Sequence, residues 1–322
     1  MAGEAMTARA FWTAAPGRGE LRAEALPAPG AGERRFTMIA SGISRGTEAL
    51  VFRGGVPESQ FQAMRAPLMG GAFPFPVKYG YCAVARAEDG ARFFILHPHQ
   101  DVFNAPAALA VPVPDDVPSR RAVLAANMET ALNLLWDAGP LPGMRALVIG
   151  AGVLGLLTAA LLARIPGVSV TVCDLDPARA APATALGCRF ARPEAAPSDQ
   201  DLVFHTSASE AGLALALRAA ADEAAIIEAS WYGRDAPAVP LGEDFHARRL
   251  RLIASQVGRV APAMRGRRTS GERLALALDL LRDPVFDSLL APPTPFAALP
   301  EAMPRLLAGG LCHVIDYGVP DV

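Results

Sequence analysis

Three glycines, Gly150, Gly152 and Gly155, give this chain its clearest chemical statement, in Ala146-Leu-Val-Ile-Gly-Ala-Gly-Val-Leu-Gly-Leu-Leu-Thr-Ala-Ala-Leu-Leu-Ala163. Ala146–Ile149 reads as a buried strand and Val153–Ala163 as an apolar helix. In that setting G-x-G-x-x-G cradles a dinucleotide. Gly150 permits a tight turn, Gly152 keeps a Cβ out of a pyrophosphate's path, and Gly155 lets helix and strand pack closely. The free N–H groups of the first helical turn, which includes Val153 and Leu154, then face the phosphates with the positive end of the helix dipole. A second apolar run, Val168–Cys173, ends in Asp174, 19 residues past Gly155. A carboxylate there accepts from ribose hydroxyls and repels a 2′-phosphate, so the expected cofactor is NAD, with NADP disfavoured. Arg179 has three readings: stacked on adenine, admitting a phosphate, or solvated on a helix.

The elements that must hold this turn follow from the rest of the chain. Its 322 residues, 52% of them hydrophobic, suit two domains with sizeable cores. Ala8–Thr13, Arg35–Ser41, Phe93–Leu96 and Ala108–Val113 read as strands of a small barrel, with a turn over Leu26–Gly30. The prolines within Met69–Tyr81 forbid a helix there and invite an irregular, ligand-lining segment. Ser119–Asp137 reads as one or two helices. Strands at Leu202–His205, Ala224–Ala229 and Arg251–Gln256 then alternate with helices at Ala178–Leu186 and Glu210–Ala221, as a parallel doubly wound sheet requires. A helix over Gly271–Arg282 and a strand over Cys312–Tyr317 return to the style of the first domain. The expected boundaries are residues 1–118 with 258–322, and 119–257.

Composition excludes several classes. A formal charge of −2 gives no electrostatic case for nucleic acid or an anionic membrane. No apolar helix is long enough to span a bilayer, and the expectation is a soluble, cytoplasmic protein. Cys82, Cys173, Cys188 and Cys312 are widely spaced, which argues against a structural zinc loop and a disulfide framework. Of 30 cationic side chains only Lys78 is a lysine. A buried amine titrates where a guanidinium does not, so Lys78 either has a role arginine cannot fill or survives by chance.

A barrel-like first domain, a central Rossmann domain and a return to the first domain resemble the medium-chain dehydrogenase/reductase family. The resemblance rests on Ser41-Gly-Ile-Ser-Arg-Gly-Thr-Glu48, on the Gly150–Asp174 fingerprint and on Asp174-Leu-Asp-Pro-Ala-Arg-Ala180. The Gly42–Glu48 wording with Gly80-Tyr81 is most similar to the branch that contains bacteriochlorophyllide a dehydrogenase. It implies an α/β fold, a GroES-like β-barrel catalytic domain plus a Rossmann doubly wound parallel sheet. It also implies hydride transfer between NAD and a secondary alcohol or ketone of a small-molecule substrate with a large ring, in a homodimer. At the family's three zinc-ligand positions stand Ser44, Tyr81 and Ala126. None is a cysteine, histidine or carboxylate, so no catalytic metal is expected. An improvised site from Cys82, His97 and His99 is left open.

Without zinc, the alcohol proton falls to side chains. By the resemblance Tyr81 faces the nicotinamide, and an ammonium at Lys78 would lower the phenol's pKa. Tyr81 as a pocket-lining aromatic, and Lys78 paired with Glu48 or Glu129, are the competing readings. Ser44, Glu48 and Glu129 are further candidates by the same comparison. Ser230 and Trp231, after a sheet strand, and Ser255 and Gln256, after the last one, are expected to line the nicotinamide. Two other functions remain: NADPH-dependent reduction of a quinone or enoyl C=C bond, and non-catalytic NAD binding.

Overall fold

The computed structural model describes residues 6–321; residues 1–5 and 322 of the expected first domain lie outside them. The chain forms two compact units. The first runs up to Ala126 and includes Leu274–Asp283 and Leu290 onward; the second is Asn127–Arg273 with Pro284–Leu289.

The first unit is mostly antiparallel sheet. Strands β1 (Met6–Ala15) and β2 (Arg18–Leu26) form a hairpin, extended through Val77–Lys78 to Gly70–Gly71. Strand β3 (Glu33–Ile43) pairs with the closing strand His313–Asp316, with β4 (Ala83–Ala87) and with β6 (Val102–Pro106), while β5 (Arg92–Ile95) pairs with β4. Phe36 and Met38 of β3 meet Ala83, Ala85, Ile95 and Phe103 in one core. Helix α1 (Arg45–Phe52) follows β3 at once, and its Phe52 joins Leu299, Met303 and Leu306 of the helix Leu299–Ala308 in another. The expected strand over Ala108–Val113 is a 3-10 turn at Ala107–Leu109 and a two-residue pairing at Val111–Pro112. Prolines at 106 and 112 cannot donate to a ladder.

The second unit holds a six-stranded parallel sheet. Its strands are β7 (Arg145–Ile149), β8 (Ser169–Cys173), β9 (Arg189–Ala191), β10 (Gln200–His205), β11 (Ala220–Glu228) and β12 (Arg251–Ala254), in the order β9-β8-β7-β10-β11-β12. The chain winds outward from β7 on one side, then returns to β10 on the other, which is the doubly wound topology. Leu147, Ile149, Val203, Ile226 and Leu217 share its core. Strands covered on both faces read as apolar runs, which is why they were visible in sequence.

The stretch Ser119–Asp137, expected as one or two helices, forms two, Ser119–Ala122 and α2 (Ala125–Ala138). The first change of unit falls at Ala126 within α2, beyond the expected residue 118, and a later one at Arg273, beyond 257. The reason for the second is Arg273. Its guanidinium reaches Glu129 Oε1 (3.0 Å), Asn133 Oδ1 (2.5 Å) and the Val257 carbonyl (2.5 Å), and the Ala261 N–H donates to Asn133 Oδ1 at 3.0 Å. Those bonds fasten residues 257–273 to α2.

Candidate functional site

The glycine turn joins β7 to helix α3 (Val153–Ala163). Gly150 has φ +104°, where other residues are strained. A Cβ on Gly155 would stand 1.9 Å from the Gly150 carbonyl oxygen, so nothing larger than hydrogen fits there. A Cβ on Gly152 would meet no atom within 4 Å. The glycine is not needed for packing at that point, and the open space before the helix suits a phosphate. Asp174 follows β8 and is half-buried. Its Oδ2 accepts from the Ala151 N–H (2.6 Å) and its Oδ1 from the Asp176 N–H (2.8 Å). Two backbone bonds leave a carboxylate acceptor capacity for ribose hydroxyls. Arg179 pairs with Asp176 at 3.1 Å with its side chain 14% exposed, so it is not the freely solvated residue of the third reading.

Beside this turn, β10 and β11 end on His205 and Glu228, which face each other in the ladder. His205 is wholly buried; Nδ1 lies 2.7 Å from Glu228 Oε2 and Nε2 lies 2.7 Å from Ser207 Oγ. The Ser230 N–H donates to Glu228 Oε1 (2.7 Å), the Tyr232 hydroxyl reaches Glu228 Oε2 (3.2 Å), and the Tyr232 ring stacks on the imidazole. Burial alone would raise the Glu228 carboxyl, but the His205 bond and the Ser230 contacts hold it below its usual range. Sequence reading missed His205 and Ser207. The available signal was two titratable residues at the ends of consecutive apolar runs.

Of the other expected cofactor contacts, the Ser230 hydroxyl takes the Ala208 N–H (3.0 Å) and Trp231 is 40% exposed. The Ser255 hydroxyl bonds Asp137 (2.5 Å), and Gln256 Oε1 takes the Gly258 N–H (2.7 Å). A cavity of about 590 Å³ lined by Glu223, His246, Arg249 and Arg251 lies toward the amino ends of β11 and β12, the wrong end of the sheet for the dinucleotide.

In the first unit the loop between β3 and α1 carries Ser44. Glu48 Oε1 accepts the Ser44 N–H (2.8 Å) and Oε2 meets His99 Nε2 (2.9 Å). His99 Nδ1 continues to Ser41 Oγ (2.7 Å), which meets the Tyr317 hydroxyl (3.0 Å). Glu48 is 3% exposed and both its oxygens are engaged, so it holds the Ser44 loop in place instead of facing a substrate. Tyr81 hydrogen-bonds the side chains of Ser44 and Thr47.

Three expectations about proton chemistry need correction. The Tyr81 phenol is not lowered: burial, with Cys82 and Tyr79 nearby, pushes it well above its ordinary value, and the Ser44 and Thr47 bonds offset this only in part. Lys78 does not serve Tyr81, Glu48 or Glu129, because its ammonium is held by Glu24 Oε2 (2.7 Å) and Gln100 Oε1 (2.8 Å). Glu129 is the buried partner of Arg273, at 3.0 Å. As for an improvised metal site, both nitrogens of His99 are bonded, while His97 stacks on Phe103 and bonds the Pro98 carbonyl at 2.8 Å. No group of three such ligands converges among the described residues.

A barrel-like unit joined to this order of parallel strands is the fold of the zinc-type, medium-chain alcohol dehydrogenase-like proteins. The chain is similar to an alcohol dehydrogenase of Escherichia coli in complex with NADH, with TM-score 0.77, 16% identity and coverage of 97% of this chain and 99% of that one. It is equally similar to a zinc-binding dehydrogenase of Sinorhizobium meliloti bound to NADP, with TM-score 0.77, 16% identity and the same coverage. Acetophenone reductase of Geotrichum candidum in complex with NAD gives TM-score 0.75 and 17% identity over 96% of this chain and 97% of that one. No protein-family model and no curated protein matches the sequence. At such identities the likeness establishes the fold.

Proposed function

We propose that this chain is an oxidoreductase that moves hydride between a nicotinamide dinucleotide and a secondary alcohol or its ketone, with NAD preferred and without zinc. The observation that carries the reading is the glycine turn: closed at Gly155, open at Gly152, and flanked by Asp174. The structures that share the fold hold NADH, NADP or NAD, which supports the cofactor class. Asp174 supports the choice of NAD.

Zinc does not fit the residues present. Two hydroxyl side chains and a methyl group, at Ser44, Tyr81 and Ala126, occupy the positions where the resemblance puts its ligands, and zinc takes thiolate, imidazole or carboxylate. The bound nicotinamide would supply or accept the hydride. The chain's part is to hold the proton. With its pKa raised, the Tyr81 phenol stays protonated through the neutral range and donates to a carbonyl oxygen. That polarity suits ketone reduction better than removal of an alcohol's proton. The exposed Trp231 ring supports a bulky, flat substrate. A homodimer in the cytoplasm completes the proposal. Separately, no helix among the described residues is long and apolar enough to cross a membrane.

The test is reduced-nicotinamide absorbance with aryl ketones and secondary alcohols, each with NAD(H) and NADP(H), before and after treatment with a chelator. Turnover with NAD(H) that survives chelation is expected. Loss on chelation with rescue by zinc overturns the metal-free mechanism, and a preference for NADPH with enones or quinones favours C=C reduction. Binding without turnover of any substrate favours a non-catalytic role.

A further inference from the structure

The array at the ends of β10 and β11 has a direction. A carboxylate only accepts, so His205 Nδ1 carries the proton and donates to Glu228. In the neutral imidazole Nε2 is then the acceptor, and the Ser207 hydroxyl donates to it. Ser209 Oγ takes the Gly212 N–H (3.1 Å) and lies 2.8 Å from Ser207 Oγ, so its own proton points to Ser207. One lone pair on Ser207 remains. Ser207 is exposed, and it therefore presents an acceptor that the half-buried Glu228 carboxylate polarises through the buried imidazole. Helix α4 (Glu210–Ala219) leaves room for this only because residue 212 is glycine: a Cβ there would stand 2.4 Å from Ser207 Oγ and 2.7 Å from His205 Nε2.

The array also sits against the dinucleotide turn. A Cβ on Gly150 would lie 2.9 Å from the Ser207 backbone nitrogen. Asp174, after β8, marks one side of β7 for the adenosine half, and β10 is the neighbour on the other side. A dinucleotide that crosses the turn at its pyrophosphate carries its second half over β10.

We propose that Ser207 accepts a hydrogen bond from a hydroxyl of the nicotinamide-side ribose, with His205 and Glu228 as positioning residues that fix its polarity. This rests on the dinucleotide reading above. It implies that the group bound here is a donor, since an anionic phosphate would face a lone pair.

Calorimetric titration at about pH 8, where an ordinary imidazole is neutral, separates the possibilities. The ligands are AMP, which carries the adenosine half alone, ADP-ribose, which carries both riboses, and NAD. Ser207→Ala is expected to weaken ADP-ribose and NAD about tenfold and AMP less than about twofold, with Ser207→Thr restoring affinity. Glu228→Gln is expected to weaken ADP-ribose in the wild-type background and to add little on top of Ser207→Ala, as a shared path requires. Equal losses for AMP and ADP-ribose, no loss for either, or additive effects of the two substitutions overturn the proposal. If Ser207→Ala does not fold, Ser207→Cys, of similar volume and weaker acceptor strength, repeats the measurement with the same expected and overturning outcomes. A wild-type chain that binds none of the three ligands overturns the dinucleotide reading itself.

Discussion

Burial keeps both Tyr81 and His97 neutral, by raising the phenol and lowering the imidazole, and the consequences differ. Tyr81 as a hydrogen-bond donor predicts that Tyr81→Phe lowers the ketone-reduction rate by about 100-fold. In the wild type, steady-state kinetics should show no ionisation of Tyr81 across the neutral range. Lys78→Arg should leave that rate nearly unchanged, since Glu24 and Gln100 can hold a guanidinium; a drop as large as that of Tyr81→Phe would return Lys78 to the chemistry. His97 falls to about 3 in the folded chain, mainly through burial, from an ordinary value of 6.5. A depressed folded value means that the unfolded chain takes up the proton first as the pH falls. Stability is therefore complete above about 6.5 and declines toward 3, by an amount on the order of a few kcal/mol. Urea unfolding at intervals from about pH 7 to about pH 4 should show this slope, and His97→Gln should flatten it. What sequence could show at this scale was residue type; what it could not show was the partner. Lys78 meets Glu24 across 54 residues and His99 meets Ser41 across 58, distances that no local pattern encodes.

Elements were more legible, because periodicity is local. Five of the six strands of the parallel sheet were anticipated within a few residues of their ends, as buried runs between turns. The short β9 was not among them; it follows the helix expected near Ala178–Leu186, which forms as a 3-10 turn, Pro177–Arg179, running into an α-helix, Ala180–Ala185. The strand Arg18–Leu26 was missed, being largely half-buried or exposed and lacking a clean alternation. The helix Leu299–Ala308 was missed because Pro300 and Pro304 argue against one. Pro300 falls in its first turn, where the lost N–H has no helical partner anyway. The Arg273–Glu129 pair gives this scale its prediction. Arg273 is 2% exposed and anchors residues 257–273 to α2, and Glu129 is raised by burial even against the pull of Arg273. Arg273→Ala leaves a buried carboxylate unpaired and should cost about 3–5 kcal/mol in denaturant unfolding. Adding Glu129→Gln to it should recover part of that loss. No recovery would mean that the bonds to Asn133 and the Val257 carbonyl, not the charge pair, carry the anchorage.

For the molecule as a whole, a ligand that binds only the folded chain raises its stability by an amount set by concentration over Kd, about 2.7 kcal/mol at a hundredfold excess. In chains of this size such an increment moves the unfolding temperature by several degrees. NAD should therefore shift the calorimetric transition, and the three glycines separate binding from folding in that measurement. Gly152 is extended, at φ −73° and ψ 178°, and a Cβ there meets nothing within 4 Å. Gly152→Val should melt like wild type without ligand and lose the shift with NAD, because the new methyl groups enter the pyrophosphate's path and no protein contact. Gly155→Ala should melt lower even without ligand, since its Cβ falls 1.9 Å from the Gly150 carbonyl oxygen and α3 must retreat from β7. If instead Gly152→Val keeps the full shift, the phosphates do not cross the turn at that point. The open space would then need another explanation than the dinucleotide.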